Sequence, residues 1–175
     1  MTTERTPAPL ASRPRIPRDY GVPRSTKGLL DWEHVAQRLA DATVYWIATS
    51  GPGGMPRARP VDGLYVDDVL YVGGSPETGW VRDLTANPKV CVHLDDGWDV
   101  VILEGEVARL EGADPELARR LAAESNRKYP QYGMTEKDSA GPGTLAIRPA
   151  RAYAWKAFPK DVTKFTFPAG DRGRG

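Results

Sequence analysis

Alternating apolar and polar positions run through much of the chain and predict strands. Residues 43–49 carry large side chains on both faces, which is typical of a strand in a sheet buried on both sides or folded into a barrel. Residues 89–94 alternate strictly. Six or seven strands, mostly joined by hairpins, together with three short helices predict a mainly antiparallel barrel with peripheral helices. The predicted strands are 43–49, 55–66, 69–72, 89–94, 98–110, 144–148 and 151–158, and residues 163–167 extend outward after them.

The strand predicted over residues 55–66 is interrupted by Pro56 and Pro60. A proline cannot donate to a strand ladder, so this strand is expected at a sheet edge or at a bulge. Arg57 and Arg59 are two positions apart and therefore share a face. Two guanidinium groups on one face can clamp a phosphate or a carboxylate, and an ordinary exposed polar face explains them equally well.

A strand, a helix and a second strand are predicted between residues 69 and 94, and we expect a ligand here. Gly73–Gly74 frees the backbone at the end of the first strand. Ser75 is the predicted N-cap, Pro76 the first helical residue, and Asn87–Pro88 the stop. A helix that opens off a glycine pair leaves amides free to face an anion, although simple chain reversal explains the same glycines. The apolar face of this helix consists of Trp80, Val81 and Leu84.

Two further helices and one long loop complete the predicted elements. Asp31 is placed to cap a helix that begins at residue 32, and Asp114–Pro115 opens a helix that runs to about residue 129. The loop from Pro130 to Gly143 contains Tyr132 and Met134. Its length indicates that it is either mobile or functional.

Composition narrows the classes of function. The chain has 175 residues and a net charge of +1 with mixed signs throughout, so one domain is expected, without the basic stripe that nucleic acid or an anionic membrane requires. Cys91 is the single cysteine, and no apolar run is long enough to span a membrane or to form a signal peptide. The protein is therefore expected to be cytoplasmic.

No group of residues in the sequence has the spacing of a protein-based catalytic centre. His93 with Cys91 is too sparse for a zinc site, so no metal is expected. There is neither a dinucleotide-binding glycine signature nor a phosphate-binding loop of the nucleotide hydrolases. Any chemistry is therefore expected to belong to a bound cofactor.

Both ends of the chain differ in composition from the middle. Residues 1–28 are rich in proline and arginine and poor in apolar groups, which predicts a disordered tail or an arm that lies across a partner subunit. Residues 168–175 are polar and glycine-rich and predict a flexible tail. The folded domain is expected over residues 29–167.

Several short motifs, in this order and spacing, resemble the pyridoxamine 5'-phosphate oxidase-like split-barrel family, in particular its flavin- and deazaflavin-dependent oxidoreductases. The resemblance runs from about Leu30 to Phe167. The segments that carry it are Tyr45–Thr49, Gly54–Val61, Leu70–Val72 with Ser75–Pro76, Val81–Val90, and Ala154–Asp161 followed by Thr163–Phe165.

This resemblance implies a six-stranded antiparallel split barrel of Greek-key type, a homodimer, and a flavin-type cofactor in a groove between the subunits. The cofactor would be a deazaflavin of the coenzyme F-420 type or FMN. Arg57 or Arg59, with the backbone of Pro60 and Val61, would run along the ring system. Gly74 and Ser75 would meet the phosphate end, with Arg82 near it.

One position departs from the family pattern. Where relatives that bind FMN or deazaflavin often carry an Arg-Lys pair, this chain has Gly79–Trp80, and Glu77 adds a negative charge nearby. A charge-assisted hydrogen bond contributes about 1.5 to 3 kcal/mol, so the loss of two such bonds weakens phosphate binding. Trp80 either stacks on a ring or belongs to the core with Leu84.

The sequence thus predicts a flavin- or deazaflavin-dependent oxidoreductase that exchanges a hydride with a small planar or conjugated organic substrate at a dimer-interface site. Trp46, Tyr65 and Trp155 are the candidate aromatic side chains of the substrate pocket. The alternative is a non-catalytic split-barrel protein that binds haem, flavin or another planar ligand, and the pair Gly79–Trp80 favours it.

Overall fold

The computed structural model describes residues 8–112, 114–139, 141 and 143–168. β-strands are its main secondary structure, as the alternating pattern predicts. The strands are β1 (Leu10–Ser12), β2 (Tyr45–Ser50), β3 (Pro56–Val61), β4 (Gly63–Val66), β5 (Val69–Gly73), β6 (Lys89–His93), β7 (Val100–Arg109), β8 (Thr144–Trp155) and β9 (Thr163–Thr166). The helices are α1 (Trp32–Asp41), α2 (Gly79–Ala86), α3 (Pro115–Lys128) and α4 (Glu136–Ser139).

All strand pairs are antiparallel. The order in the sheet is β1-β9-β8-β7-β6-β2-β3, and β5 joins β8 on one side and β4 on the other. The long strand β8 pairs with β5 through Thr144–Ile147 and with β9 through Arg151–Ala154, so it connects both parts of the sheet. This confirms the predicted class, mainly antiparallel β with peripheral helices.

The number of strands differs from the six or seven expected, because nine lie in the described residues. The predicted strand 55–66 is two strands, separated at Asp62. The two predicted strands 144–148 and 151–158 are one, since Pro149 faces Gly105 at a register shift and the ladder continues around it. A Cβ on Gly105 would lie 2.1 Å from the carbonyl oxygen of Arg148, so this close approach requires glycine. The edge position expected for β3 from its prolines is confirmed.

The main core lies on the inner face of the sheet. Tyr45, Ile47 and Phe165 are fully buried there, and α1 and α2 close it with Leu39 and Val81. A smaller core beneath α3 contains Tyr71, Leu121 and Ala146. The two cores cover opposite faces of β5, since neighbouring residues of a strand point to opposite sides.

Helix α2 begins at Gly79, later than the predicted start at Ser75 and Pro76. The Ser75 carbonyl accepts from both the amide and the hydroxyl of Thr78, at 3.0 and 2.7 Å, which closes a separate turn before the helix. Thr78 is therefore the N-cap residue, and Pro76 lies in the turn. The predicted end at Asn87 is confirmed, and Trp80, Val81 and Leu84 are buried as the predicted face requires.

The chain before α1 packs against the end of the same chain. β1 pairs with β9, and the Arg13 guanidinium donates to the carbonyls of Val162, Ser25 and Lys27 at 2.9, 3.0 and 2.7 Å. Residues 1–7 and 169–175, where much of the predicted tails falls, lie outside the described residues. The domain boundaries at residues 28 and 167 stay predictions. Among the described helices, none has the length and apolar character that crossing a membrane requires.

Candidate functional site

A cavity of about 820 Å³ lies between the β4–β5 hairpin, the turn before α2, helix α3 and the segment that carries α4. This volume is within the usual range for small-molecule sites. Val61, Gly74, Ser75 and Trp80 from the predicted cofactor site all line it. The structure therefore brings together residues that the sequence places on a strand, a turn and a helix.

Gly74 lines the cavity at a close approach between the end of β5 and α2. Its amide donates to the Gly143 carbonyl at 3.1 Å, which fixes the end of β5 against the segment before β8. A Cβ at this position would lie 2.7 Å from both Trp80 Cζ2 and Val81 Cγ2. Glycine thus allows Trp80 to pack directly on the backbone, and Trp80 serves both as core and as cavity wall.

Arg57 reaches from β3 to the start of α2. Its Nε lies 3.2 Å from Oδ2 of Asp83, whose side chain is only 8% exposed. The hydroxyl of Thr49 donates to the same oxygen at 3.4 Å. A Cβ on Gly79 would lie 2.6 Å from Arg57 Nη1, so the guanidinium occupies the space that a side chain at residue 79 would fill.

The contact between Arg57 and Gly79 bears on the missing Arg-Lys pair, the position at which this chain departs from the family pattern. The sequence lacks a cation on the helix at Gly79, but the structure supplies one there from the neighbouring strand. The buried carboxylate of Asp83 holds that cation in place. A positive charge therefore lies at the α2 N-terminus, where the helix dipole and the first-turn amides also favour an anion.

The other two arginines of the predicted site differ in their contacts. Arg82 Nη1 donates to the Glu77 carbonyl at 2.5 Å, so it braces the turn that carries Ser75. Arg59 shares the face of Arg57 on β3 and is exposed. Among the described residues, Arg59 has no ion pair or side-chain hydrogen bond. Pro60 is also exposed, on the other face of β3 opposite Trp46.

The three aromatic residues predicted for a substrate pocket do not line this cavity. Tyr65 is buried in the core, where its hydroxyl donates to Asp68 at 2.9 Å. Trp46 lies on the outer face of the sheet, stacked on His93 with ring centroids 6.2 Å apart. Trp155 packs edge-on against Phe158 at 5.9 Å.

Helix α3 and the segment after it supply cavity residues that the sequence did not assign to a site. Ser125 and Tyr129 come from α3 and its C-cap, while Tyr132, Met134 and Asp138 come from the following segment. The length of the loop 130–143 was the sequence signal for Tyr132, Met134 and Asp138. Helical spacing alone gave no reason to distinguish Ser125 from a core residue. Asn126 fastens the loop to α3, because its side chain bonds both the amide and the carbonyl of Met134 at 2.8 and 2.9 Å.

Lys128 lies behind the cavity wall at Gly63. Its Nζ donates to the Ala42 carbonyl at 2.8 Å and to the Tyr45 hydroxyl at 2.9 Å. Burial lowers the pKa of Lys128 to about 8. The Tyr129 hydroxyl accepts from the Gly63 amide at 3.0 Å and donates to the Thr43 carbonyl at 2.8 Å, so this part of the wall is held by a polar network.

A family model described as pyridoxamine 5'-phosphate oxidase matches residues 32–156, which is most of the chain. The chain belongs to this family. Membership confirms the resemblance inferred from the motifs between Tyr45 and Asp161. No curated protein matches the chain significantly.

Solved structures that share this fold come from proteins with different names. A FAD-binding protein from Mesorhizobium loti is 20% identical, covers 79% of this chain and 96% of its own, and has a TM-score of 0.56. A heme-binding protein from Mycobacterium smegmatis is 21% identical, covers 75% of this chain and 56% of its own, and has a TM-score of 0.57. General Stress Protein 26 from Bacillus anthracis is 18% identical, with coverages of 71% and 94% and a TM-score of 0.53. At these identities the likeness establishes the fold.

Proposed function

We propose that this member of the family is a flavin- or deazaflavin-dependent oxidoreductase that exchanges a hydride with a small planar or conjugated organic substrate. The observation that carries the proposal is the Arg57 guanidinium held over Gly79 by the buried carboxylate of Asp83. It provides a fixed cation beside the cavity for the anionic tail that FMN and deazaflavins share.

The residues present fit such a group. Arg57 supplies the charge, and Ser75 and Thr78 add hydroxyl groups at the same edge of the cavity. Arg82 acts through the turn, because it bonds the Glu77 carbonyl. The aromatic walls of Trp80 and Tyr129 suit a flat ring. When bound, the cofactor supplies the two-electron chemistry, and the chain supplies its placement and shields it from water.

A homodimer forms part of this proposal. The outer sheet face carries Trp46, His93, Ile102 and Tyr153 in one row across four strands, and all four are half-buried. This row is uncharged, and the next row on the same face carries the Arg151–Glu104 ion pair. A half-buried apolar row of this kind suits a second copy of the chain. Trp46 and Trp155 both lie on this face, so a partner subunit would bring them close to a shared site.

The dimer is tested by the molar mass in solution of Ile102→Glu, which places a charge in the centre of this row. We expect a monomer that loses cofactor binding. Ala123→Glu adds the same charge on the exposed side of α3 and should leave the mass unchanged. Equal masses for wild type and Ile102→Glu contradict the proposed interface.

The second candidate is a non-catalytic protein that binds haem, flavin or another planar ligand. It is favoured by one observation, that no lysine, arginine or histidine lines the cavity in the described part of the chain. A ligand would then be held mainly by aromatic and apolar contacts. A Soret band in the freshly purified protein would support this candidate over the first.

Fluorescence titration of the apoprotein with FMN and with a deazaflavin tests the first candidate. We expect micromolar or tighter binding of one of them, and a loss of about ten- to a hundredfold for Arg57→Gln. Arg59→Gln is the matched control, since it removes the same charge from the same face of β3 without a side-chain contact among the described residues. Binding of neither cofactor, or equal losses for both variants, contradicts the proposal.

A further inference from the structure

The charges that line the cavity are all negative. Asp62, between β3 and β4, and Asp138 of α4 both line it, and among the described residues no cationic side chain joins them. The cation beside the cavity, Arg57, lies outside this lining and is directed to Asp83. The charge of the cavity lining therefore differs in sign from that of the Arg57 edge described above.

Both carboxylates are placed to accept further hydrogen bonds. Hydrogen bonds from the Thr135 hydroxyl and amide, at 2.5 and 3.1 Å, hold the pKa of Asp138 below its ordinary value. Asp62 accepts from the Tyr132 hydroxyl at 2.5 Å through Oδ2, and its Oδ1 has no partner among the described residues. The same bond raises the pKa of Tyr132, so Tyr132 remains a donor.

Aromatic rings face the same space. Tyr129 and Tyr132 lie with ring centroids 5.7 Å apart, and Tyr71 and Trp80 complete the aromatic lining. The electron-rich faces of such rings attract a cation, and the attraction grows when the cation is desolvated. Carboxylates and aromatic faces together are the usual means of binding an organic cation.

Ser125 is an independent sign that a polar ligand enters. Its side chain lines the cavity although the residue is only 2% exposed, and its hydroxyl has no hydrogen-bond partner in the described part of the chain. The hydroxyl is open to the cavity, where a ligand or water can form a hydrogen bond with it. It lies on α3, across from the strand residues that form the opposite wall.

We propose that this cavity binds a planar organic cation, with a protonated amine or a quaternised ring nitrogen directed at Asp62 and Asp138. The inference rests on the proposed function in one respect, because it names the substrate class for that site. The anionic tail of the cofactor then lies at the Arg57 edge, and the cationic group of the substrate lies at the exposed rim that Asp62 and Asp138 form.

The test uses three ring-matched probes on the full chain without cofactor: N-methylquinolinium, neutral quinoline and quinoline carboxylate. Isothermal titration calorimetry should give the order cation, neutral, anion, with about a tenfold preference for the cation over the neutral ring. Asp62→Asn and Asp138→Asn should each weaken binding of the cation by about fivefold, with little effect on neutral quinoline.

Glu33→Gln is the charge-matched control, since Glu33 is exposed on α1 and does not line the cavity. An equal loss for Glu33→Gln and Asp62→Asn, or binding of the anion as tight as that of the cation, overturns the inference. If either aspartate variant fails to fold by circular dichroism, the probe order on wild type decides alone.

The outcomes also separate this inference from the proposed function. If FMN or deazaflavin binds and the three probes show no preference for the cation, the oxidoreductase proposal stands and the substrate class is wrong. If the cation binds at the acidic wall and neither cofactor binds, the cavity is a cation site and the redox proposal falls.

Discussion

The cavity lining and the surface beside it carry opposite charge. At the α2 end, Arg57 and Arg82 lie near the turn that contains Ser75. At the α4 end, Asp62 and Asp138 form the lining. Each region is built by contacts between distant parts of the chain. Under the two proposals above, this contrast orients the two ligands, because the Arg57 side attracts an anion and the acidic lining attracts a cation.

The largest effect is expected from Gly74→Ala at the α2 end. The new Cβ would meet Trp80 Cζ2 and Val81 Cγ2 at 2.7 Å, and both belong to the packed core, so we expect a loss of about 2 to 3 kcal/mol in the free energy of unfolding. Urea denaturation measures it. Gly73→Ala is the matched control, because a Cβ there meets nothing within 4 Å. Equal losses at the two positions would show that Gly74 does not fix this wall.

Asp83→Asn should lower both the stability of the protein and its affinity for FMN. It removes a buried charge acceptor of Arg57, and we expect a loss of about 1 to 2 kcal/mol in the free energy of unfolding. The affinity for FMN should fall with it, because Arg57 is no longer held over Gly79. Thermal denaturation and fluorescence titration give the two values, and an unchanged FMN affinity would argue that Arg57 needs no tether.

The lowered pKa of Lys128, which lies behind the cavity wall at Gly63, predicts that the stability of the protein depends on pH. The folded-state pKa of about 8 lies below the ordinary lysine value of 10.5, so the unfolded chain binds the proton more tightly and folding gains stability as the pH rises from about 8 to 10.5. The difference between wild type and Lys128→Met should grow by about 1 kcal/mol across this window, after allowance for solvent screening. Urea midpoints at pH 7.5 and 10 measure it, and a difference that falls with pH contradicts the assignment.

The smallest effect is expected from Glu77→Gln. Glu77 is exposed in the turn beside Ser75, and its charge opposes an anionic tail. We expect about a twofold gain in FMN affinity that disappears at high salt. A loss of affinity would indicate that Glu77 contacts the ligand instead of repelling it.

The sequence predicts features that depend on neighbours along the chain. The apolar face of α2, the Asp114 cap with its bonds to the amides of Glu116 and Leu117, and the edge position of β3 all follow from local patterns. The start of α2 does not follow from such a pattern, because the Thr78 hydroxyl donates to the Ser75 carbonyl and closes a separate turn. Propensity alone cannot distinguish this turn from a first helical turn.

The candidate site was predicted only in part. Val61, Gly74, Ser75 and Trp80 line one cavity, whereas Trp46, Tyr65 and Trp155 lie elsewhere on or within the sheet. The position of an aromatic residue relative to a cavity depends on strand register and on which strands become neighbours. Likewise, the contact between Arg57 and Gly79 joins residues on two elements, and no spacing rule links them.

The short first strand has a consequence for aggregation. Leu10–Ser12 covers the outer edge of β9, and Arg13 fastens it through three backbone carbonyls. A chain shortened to begin after Arg13 would leave β9 with unpaired amides and carbonyls along an open edge, which is a template for strand addition by another molecule. The residues before α1 thus protect this edge of the sheet from strand addition by a second molecule.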